Sequence, residues 1–135
     1  MNQLCLLNPK NDMSKDTKII WLTKPEDHDY QASLSYLSLL FDNKNAKKLV
    51  KALRKAAMTS FKAKDIFRSS GLSLLGISNR YVERNTKKLQ AGIRLPPILL
   101  VRDDRQRRLI IADGYHRLCS VYLIDEDADI PCKIV

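Results

Sequence analysis

Hydrophobic and polar positions repeat with two different periods along this 135-residue chain, and the switches between periods predict its elements. Over residues 44–57, Ala46, Leu49, Val50, Leu53 and Ala57 fall three and four apart, which is one apolar face of a helix. Lys44, Lys47, Lys48, Lys51, Arg54 and Lys55 take the opposite face. A shorter apolar helix is expected over 31–41, ended by Asp42-Asn43, and a third over 79–91, with Ser78 as N-cap and Gly92 as the residue past its end. Residues 98–101 and 108–112 read as the strands of a hairpin turned at Asp103-Asp104-Arg105-Gln106. The chain then breaks at Asp113-Gly114, enters a helix over 115–124, passes an acidic turn at 125–129 and closes with a strand over 130–135. Earlier segments are less regular. Residues 1–17 read as a frayed lead-in, 18–22 as a first strand and 24–29 as a polar turn. Residues 61–67 alternate and then shift register, which suggests a strand or its approach, with loops at 69–71 and 73–76.

These patterns add up to an α+β fold, a small mixed sheet with helices packed on it. Residues 1–57 are expected to form an N-terminal helical extension carrying the basic amphipathic helix, and 58–135 the main domain, together one compact unit. A composition of 44% hydrophobic and 29% charged residues fits an ordinary globular domain. No apolar run approaches the ~20 residues of a membrane-spanning helix, and no basic leader precedes the short apolar patch at the start. Three widely spaced cysteines, Cys5, Cys119 and Cys132, match neither a zinc motif nor a disulfide framework, so a reducing, cytoplasmic compartment is expected.

The net charge of +9 is unevenly spread. Residues 43–68 carry nine basic groups against one acidic, and 80–94 carry five against one. Residues 113–129 have one basic group and five acidic. Such basic blocks are the footprint of an anion-binding surface, or of a merely solvated face.

The segment with chemical content is strand–Asp113-Gly114-Tyr115-His116-Arg117–helix. A strand that enters a helix through glycine aims free backbone N–H groups off the helix N-terminus, where the dipole also favours an anion. His116 and Arg117 place two candidate cations in that first turn, a local conflict that a bound phosphate would resolve.

Around this turn the chain resembles the ParB/sulfiredoxin superfamily. The matching pieces are a helix ending at Gly92, Leu95-Pro96-Pro97-Ile98, a hairpin, Ile110-Ile111-Ala112-Asp113-Gly114-Tyr115-His116-Arg117, and a closing Ile130-Pro131-Cys132-Lys133-Ile134. The likeness covers roughly the last 55 residues well and 58–80 loosely; the first 57 match no family. ParB-type proteins read Gly-Glu-Arg-Arg here and contact the phosphates of CTP. Sulfiredoxin reads Gly-Cys-His-Arg, with a catalytic cysteine, and its His and Arg hold ATP phosphates. The resemblance therefore implies a nucleotide site, ATP or CTP with Mg²⁺, at Gly114, Tyr115, His116 and Arg117. Tyr115 stands where sulfiredoxin has its cysteine, so reduction of a sulfinic acid is not expected. Asp113 is similar to the aspartate of the Asp-Gly-His-x-Arg pattern in free-serine kinases, which implies a metal ligand or a group that orients a hydroxyl.

Each residue also has a plain structural reading. Asp113 could N-cap the helix, Arg117 could pair with an acid of 125–129, and His116 and Tyr115 could be packed rings. Cys119 is expected in the core and His28 to carry no chemistry. Trp21, Tyr30 and Tyr36 suit a core better than a base-stacking wall. Two functions of different class follow. The first is a nucleotide-phosphate-binding domain, with NTPase or phosphotransferase activity left open. In that case Arg117→Ala should remove nucleotide-induced stabilisation and leave the fold intact. The second is a DNA- or RNA-binding module that uses Lys47, Lys48, Lys51 and Arg54, with Arg84, Lys87 and Lys88 on the later helix. A nuclease variant would need Asp113 near Asp103, Asp104 or the 125–129 acids. A plainer third reading docks the basic helix on an acidic protein partner.

Overall fold

The computed structural model describes residues 18–76 and 78–135. The expected lead-in and Cys5 lie outside them. In chain order the elements are α1 (Asp27–Leu40), α2 (Asn43–Lys55), β1 (Thr59–Lys62), α3 (Ala63–Ser70), α4 (Arg80–Gln90), β2 (Ile98–Asp103), β3 (Arg108–Asp113), α5 (Tyr115–Ile124) and β4 (Asp129–Ile134). The fold is α+β. Its sheet has the order β1–β4–β2–β3. β2 pairs antiparallel with β3 and parallel with β4, and β4 pairs antiparallel with β1, so the sheet is mixed.

The apolar run of β2 decides the layering. Ile98, Leu99, Leu100 and Val101 are all fully buried, because both faces of this inner strand are covered. Ile98 and Leu100 join α3, α4 and α5 in one core through Ile66, Val82, Leu89 and Leu118. Leu99 and Val101, with Ile110 and Ala112 of β3, join α1 and α2 in a second core through Tyr30, Leu37, Val50 and Leu53. The helices of the expected extension thus form one of the two layers that sandwich the sheet. Beneath the C-terminus of α2, the buried ammonium of Lys133 donates to the Arg54 carbonyl at 2.9 Å and lies 5.5 Å from the Tyr30 ring centroid. A cation is favoured there by the helix dipole.

Four expectations need correction. Residues 18–22 make one parallel bridge, Trp21 to Leu95, rather than a strand. The pairing stops because Pro96 and Pro97 have no N–H to continue it. α1 begins at Asp27 and absorbs the expected turn, because Glu26 and Asp29 form a reciprocal capping box. The stretch 61–67 divides into β1, which ends at Lys62, and α3. Ala63, Ile66, Phe67 and Ser70 are buried at helical spacing, and α3 takes in Ser69 and Ser70 before Gly71 ends it at φ 69°. The N-cap of α4 is Asn79, not Ser78; its side chain accepts from the backbone of Tyr81 and Val82. Among the described residues, no helix is long and apolar enough to cross a membrane.

Candidate functional site

The turn between β3 and α5 is built around a position that has room only for glycine. Gly114 is the N-cap of α5 with φ 105°, in the left-handed region. A Cβ there would lie 2.3 Å from Cγ2 and 2.8 Å from Cβ of the buried Ile98, and 3.0 Å from a terminal nitrogen of Arg117. The missing side chain lets the Arg117 guanidinium pass beneath the turn. Arg117 donates to Asp113 at 3.0 Å and to the Pro97 carbonyl at 3.3 Å, and lies 3.9 Å from Asp29 of α1. The Arg117, Asp113 and Asp29 side chains are only 13%, 15% and 2% exposed.

Asp113 is therefore not the N-cap; it ends β3, and its carboxylate faces inward. Arg117 pairs with Asp113 and Asp29 rather than with the acids of 125–129, of which Asp127 instead meets Lys64 at 2.6 Å. The paired-carboxylate arrangement with Asp103 or Asp104 does not form either. Asp103 is opposite Arg108 at one end of the hairpin, and Asp113 is opposite Leu99 at the other. Asp29 is the site residue that sequence reasoning missed. Its one local signal is the Glu26-x-x-Asp29 spacing of a capping box, in which Asp29 accepts the Glu26 N–H at 2.7 Å. His28 lies 3.4 Å from Asp29 and 3.8 Å from Glu26, on the exposed rim.

Burial pushes the Asp113 carboxyl up from its ordinary value of 3.8 to about 6; Asp29 adds to the rise and Arg117 opposes it. A pKa raised in the folded state means that the folded protein binds this proton more tightly than the unfolded chain does. The resulting stability is fully present below about pH 3.8 and is lost as pH rises through about 6. We therefore expect Asp113→Asn to flatten the stability profile. Urea titrations at pH 5 and pH 7.5 should show wild type losing, relative to the variant, about 1.4 kcal/mol on going to the higher pH. Parallel profiles would show that Asp113 is not the group responsible.

The other residues of the turn also have partners. The Tyr115 hydroxyl donates to the Ser73 carbonyl and holds the 72–76 loop against α5, and its ring packs on the core. The His116 ring leans on Tyr81 and Tyr115, with centroids 5.1 and 5.4 Å away, and burial lowers its pKa. His116 is thus held toward its neutral form, and Arg117 is neutralised from below. The conflict of two cations at a helix N-terminus is resolved within the protein. Cys119 and Cys132 are free and buried, and burial pushes both thiols up.

At the α5 N-terminus itself, no side chain caps the helix. Among the described residues, no acceptor meets the backbone N–H groups of Tyr115, His116 and Arg117. Beside it, Tyr81 is half-exposed and carries two guanidinium groups, Arg80 at 5.2 Å and Arg84 at 5.5 Å from its ring. Among the described residues, neither arginine has an ion-pair partner. The donor set does not suit Mg²⁺: Asp113 is engaged by a guanidinium that would repel a second cation, and Asp29 is enclosed.

The basic helices do not converge. α2 packs in the second core and α4 in the first, on opposite faces of the sheet. On α2, Lys47, Lys48 and Lys51 are exposed, whereas Arg54 stacks on Tyr30 at 4.4 Å and lies 3.4 Å from Asp27. On α4, Lys87 is 3.9 Å from Glu83 and Lys88 is exposed. No family model, curated protein or solved structure matches this chain, so the resemblance to ParB and sulfiredoxin proteins stands on its sequence motifs alone.

Proposed function

We propose that the N-terminus of α5 binds the phosphates of a nucleotide, ATP or CTP, in the cytoplasm. The observation that carries this reading is the uncapped first turn of α5 beside Tyr81, Arg80 and Arg84. Backbone N–H groups would receive the phosphate oxygens, as helix N-termini do. The two arginines would add charge and forked hydrogen bonds. The Tyr81 face offers a nucleobase a stacking surface. In this reading Asp113, Asp29 and Arg117 are positioning residues that hold the turn, and Arg117 does not touch the ligand. Binding owes nothing to a protein-held metal.

The test is a thermal-shift panel of ATP, CTP and GTP, with and without Mg²⁺. One nucleotide at ~100 times its Kd should stabilise the fold by ~2.7 kcal/mol, or about 10 °C for a domain of this size. Arg80→Glu/Arg84→Glu should abolish the shift without changing the stability of the unliganded protein. If no nucleotide shifts wild type, or if the double variant responds fully, the reading fails.

A second reading has its own support: Lys47, Lys48 and Lys51 are exposed on α2 and, among the described residues, have no acidic partner. A DNA or RNA backbone would follow this stripe. Binding would weaken steeply with salt and fall on Lys47→Glu/Lys51→Glu while remaining indifferent to Arg84. Anisotropy of a labelled oligonucleotide at two salt concentrations separates the two readings.

A further inference from the structure

β3 is an edge strand, and a cleft of about 840 Å³ runs along it. Arg108, Leu109, Ile110 and Ile111 all line this cleft. Consecutive residues of a strand point to alternate faces, so one cleft that touches all four follows the outer edge of the backbone. Its walls come from both helical layers: Tyr36, Leu40 and Leu49 on one side, Ser70 and Leu72 on the other. Tyr36, Leu40 and Leu72 are 41%, 52% and 44% exposed, an apolar lining left open to solvent beside unpaired strand donors and acceptors. Natural edges are usually shielded, because such a row is a template for another strand.

Charge then selects the occupant. Lys48, Arg105 and Arg108 line the same cleft, and among the described residues none of them has an ion-pair partner. The one carboxylate in the lining, Asp103, is turned to the backbone N–H groups of Arg105 and Gln106. We propose that this cleft takes an extended peptide of a partner protein, alternating acidic and apolar residues, as a strand added to β3. Main-chain hydrogen bonds would supply affinity. The apolar walls and the three cations would read alternate side chains. Other occupants fit less well. A second copy would bring its own Arg105 and Arg108 to the same edge, in a chain of net charge +9. In residues 1–17 two lysines and two aspartates cancel, so that segment offers no acidic excess. A nucleic-acid backbone would leave the apolar walls without contacts.

The experiment is selection of a phage-displayed library of random twelve-residue peptides on the full chain, counter-selected on the Arg105→Glu/Arg108→Glu variant. Both substitutions lie on exposed side chains, and a far-UV circular dichroism spectrum matching wild type is the control for folding of the variant. The expected result is enrichment of peptides alternating Asp or Glu with Val, Ile or Leu. Synthetic copies should bind the double variant at least about tenfold more weakly, and lose binding by a similar factor when alternate amides are N-methylated. The proposal is overturned by no enrichment, by enriched peptides without the acidic-apolar alternation, or by equal binding to the double variant. Insensitivity to N-methylation, or self-association of the free protein that the same two substitutions abolish, would overturn it as well.

Discussion

Replacing Gly114 with alanine should lower the stability of this protein by about 2–6 kcal/mol, a fall of about 7–20 °C in Tm. Two costs add. A left-handed conformation strains any residue with a Cβ, by about 1–3 kcal/mol. The new methyl group also meets Ile98 at 2.3 and 2.8 Å, and Ile98 is fully buried between the layers and has nowhere to go. Forced overpacking of that kind costs typically ~1–3 kcal/mol. Gly92→Ala is the control. Gly92 has φ 74° but nothing within 4 Å of the added carbon, so only the conformational cost of about 1–2 kcal/mol applies. Urea denaturation of both variants measures the difference. Equal losses would mean that the approach of Ile98 to the turn is not as described.

Arg117→Met should cost about 3–5 kcal/mol at neutral pH, because it leaves Asp113 and Asp29 enclosed without a counter-charge. This outcome replaces the expectation that an Arg117 variant would keep its fold and lose only a ligand. Part of the loss should return at pH 5, where Asp113, whose carboxyl is already raised with Arg117 beside it and is pushed further up without it, is protonated. Adding Asp113→Asn removes one buried charge, so the Asp113→Asn/Arg117→Met protein should be more stable at neutral pH than Arg117→Met alone. One terminal nitrogen of Arg117 makes both hydrogen bonds, to Asp113 and to the Pro97 carbonyl, and is also the atom 3.9 Å from Asp29, so the unit converges on a single point of charge. A mild, pH-independent loss in Arg117→Met would show that the three side chains are not one electrostatic unit.

How much of this the sequence carries depends on how local the determining physics is. The β2–β3 hairpin, Gly114 and α5 are legible because an apolar run, a turn and a glycine follow one another, and each acts on its immediate neighbours. β1 and α3 are misread where Phe61 to Phe67 satisfies alternation briefly, while the burial of Ala63, Ile66, Phe67 and Ser70 obeys the helical period. The single bridge at Trp21 depends on which segment lies beside it, and only the pairing with Leu95 shows that two prolines end the ladder. The candidate site divides in the same way. The glycine turn and its uncapped helix are visible from spacing. The destination of Arg117 is not, because Asp29 comes from a different helix, brought to the turn by the packing of α1 on β3. Residue types that suggest a ligand can thus be answered by a partner from far along the chain.

The position of β4 sets an order on how the molecule can assemble. β1 and β2 are not neighbours; β4 stands between them, pairing Cys132 with both Thr59 and Ile98. A growing chain holds β1, β2 and β3 well before it holds the strand that joins them. Until residue 134 has left the ribosome, the β2–β3 hairpin and the β1–α3 unit share no sheet, and β2 exposes its inner edge. Closure of the sheet is therefore a late event that depends on contacts remote in sequence, the kind that slows folding and leaves strand edges open while it waits.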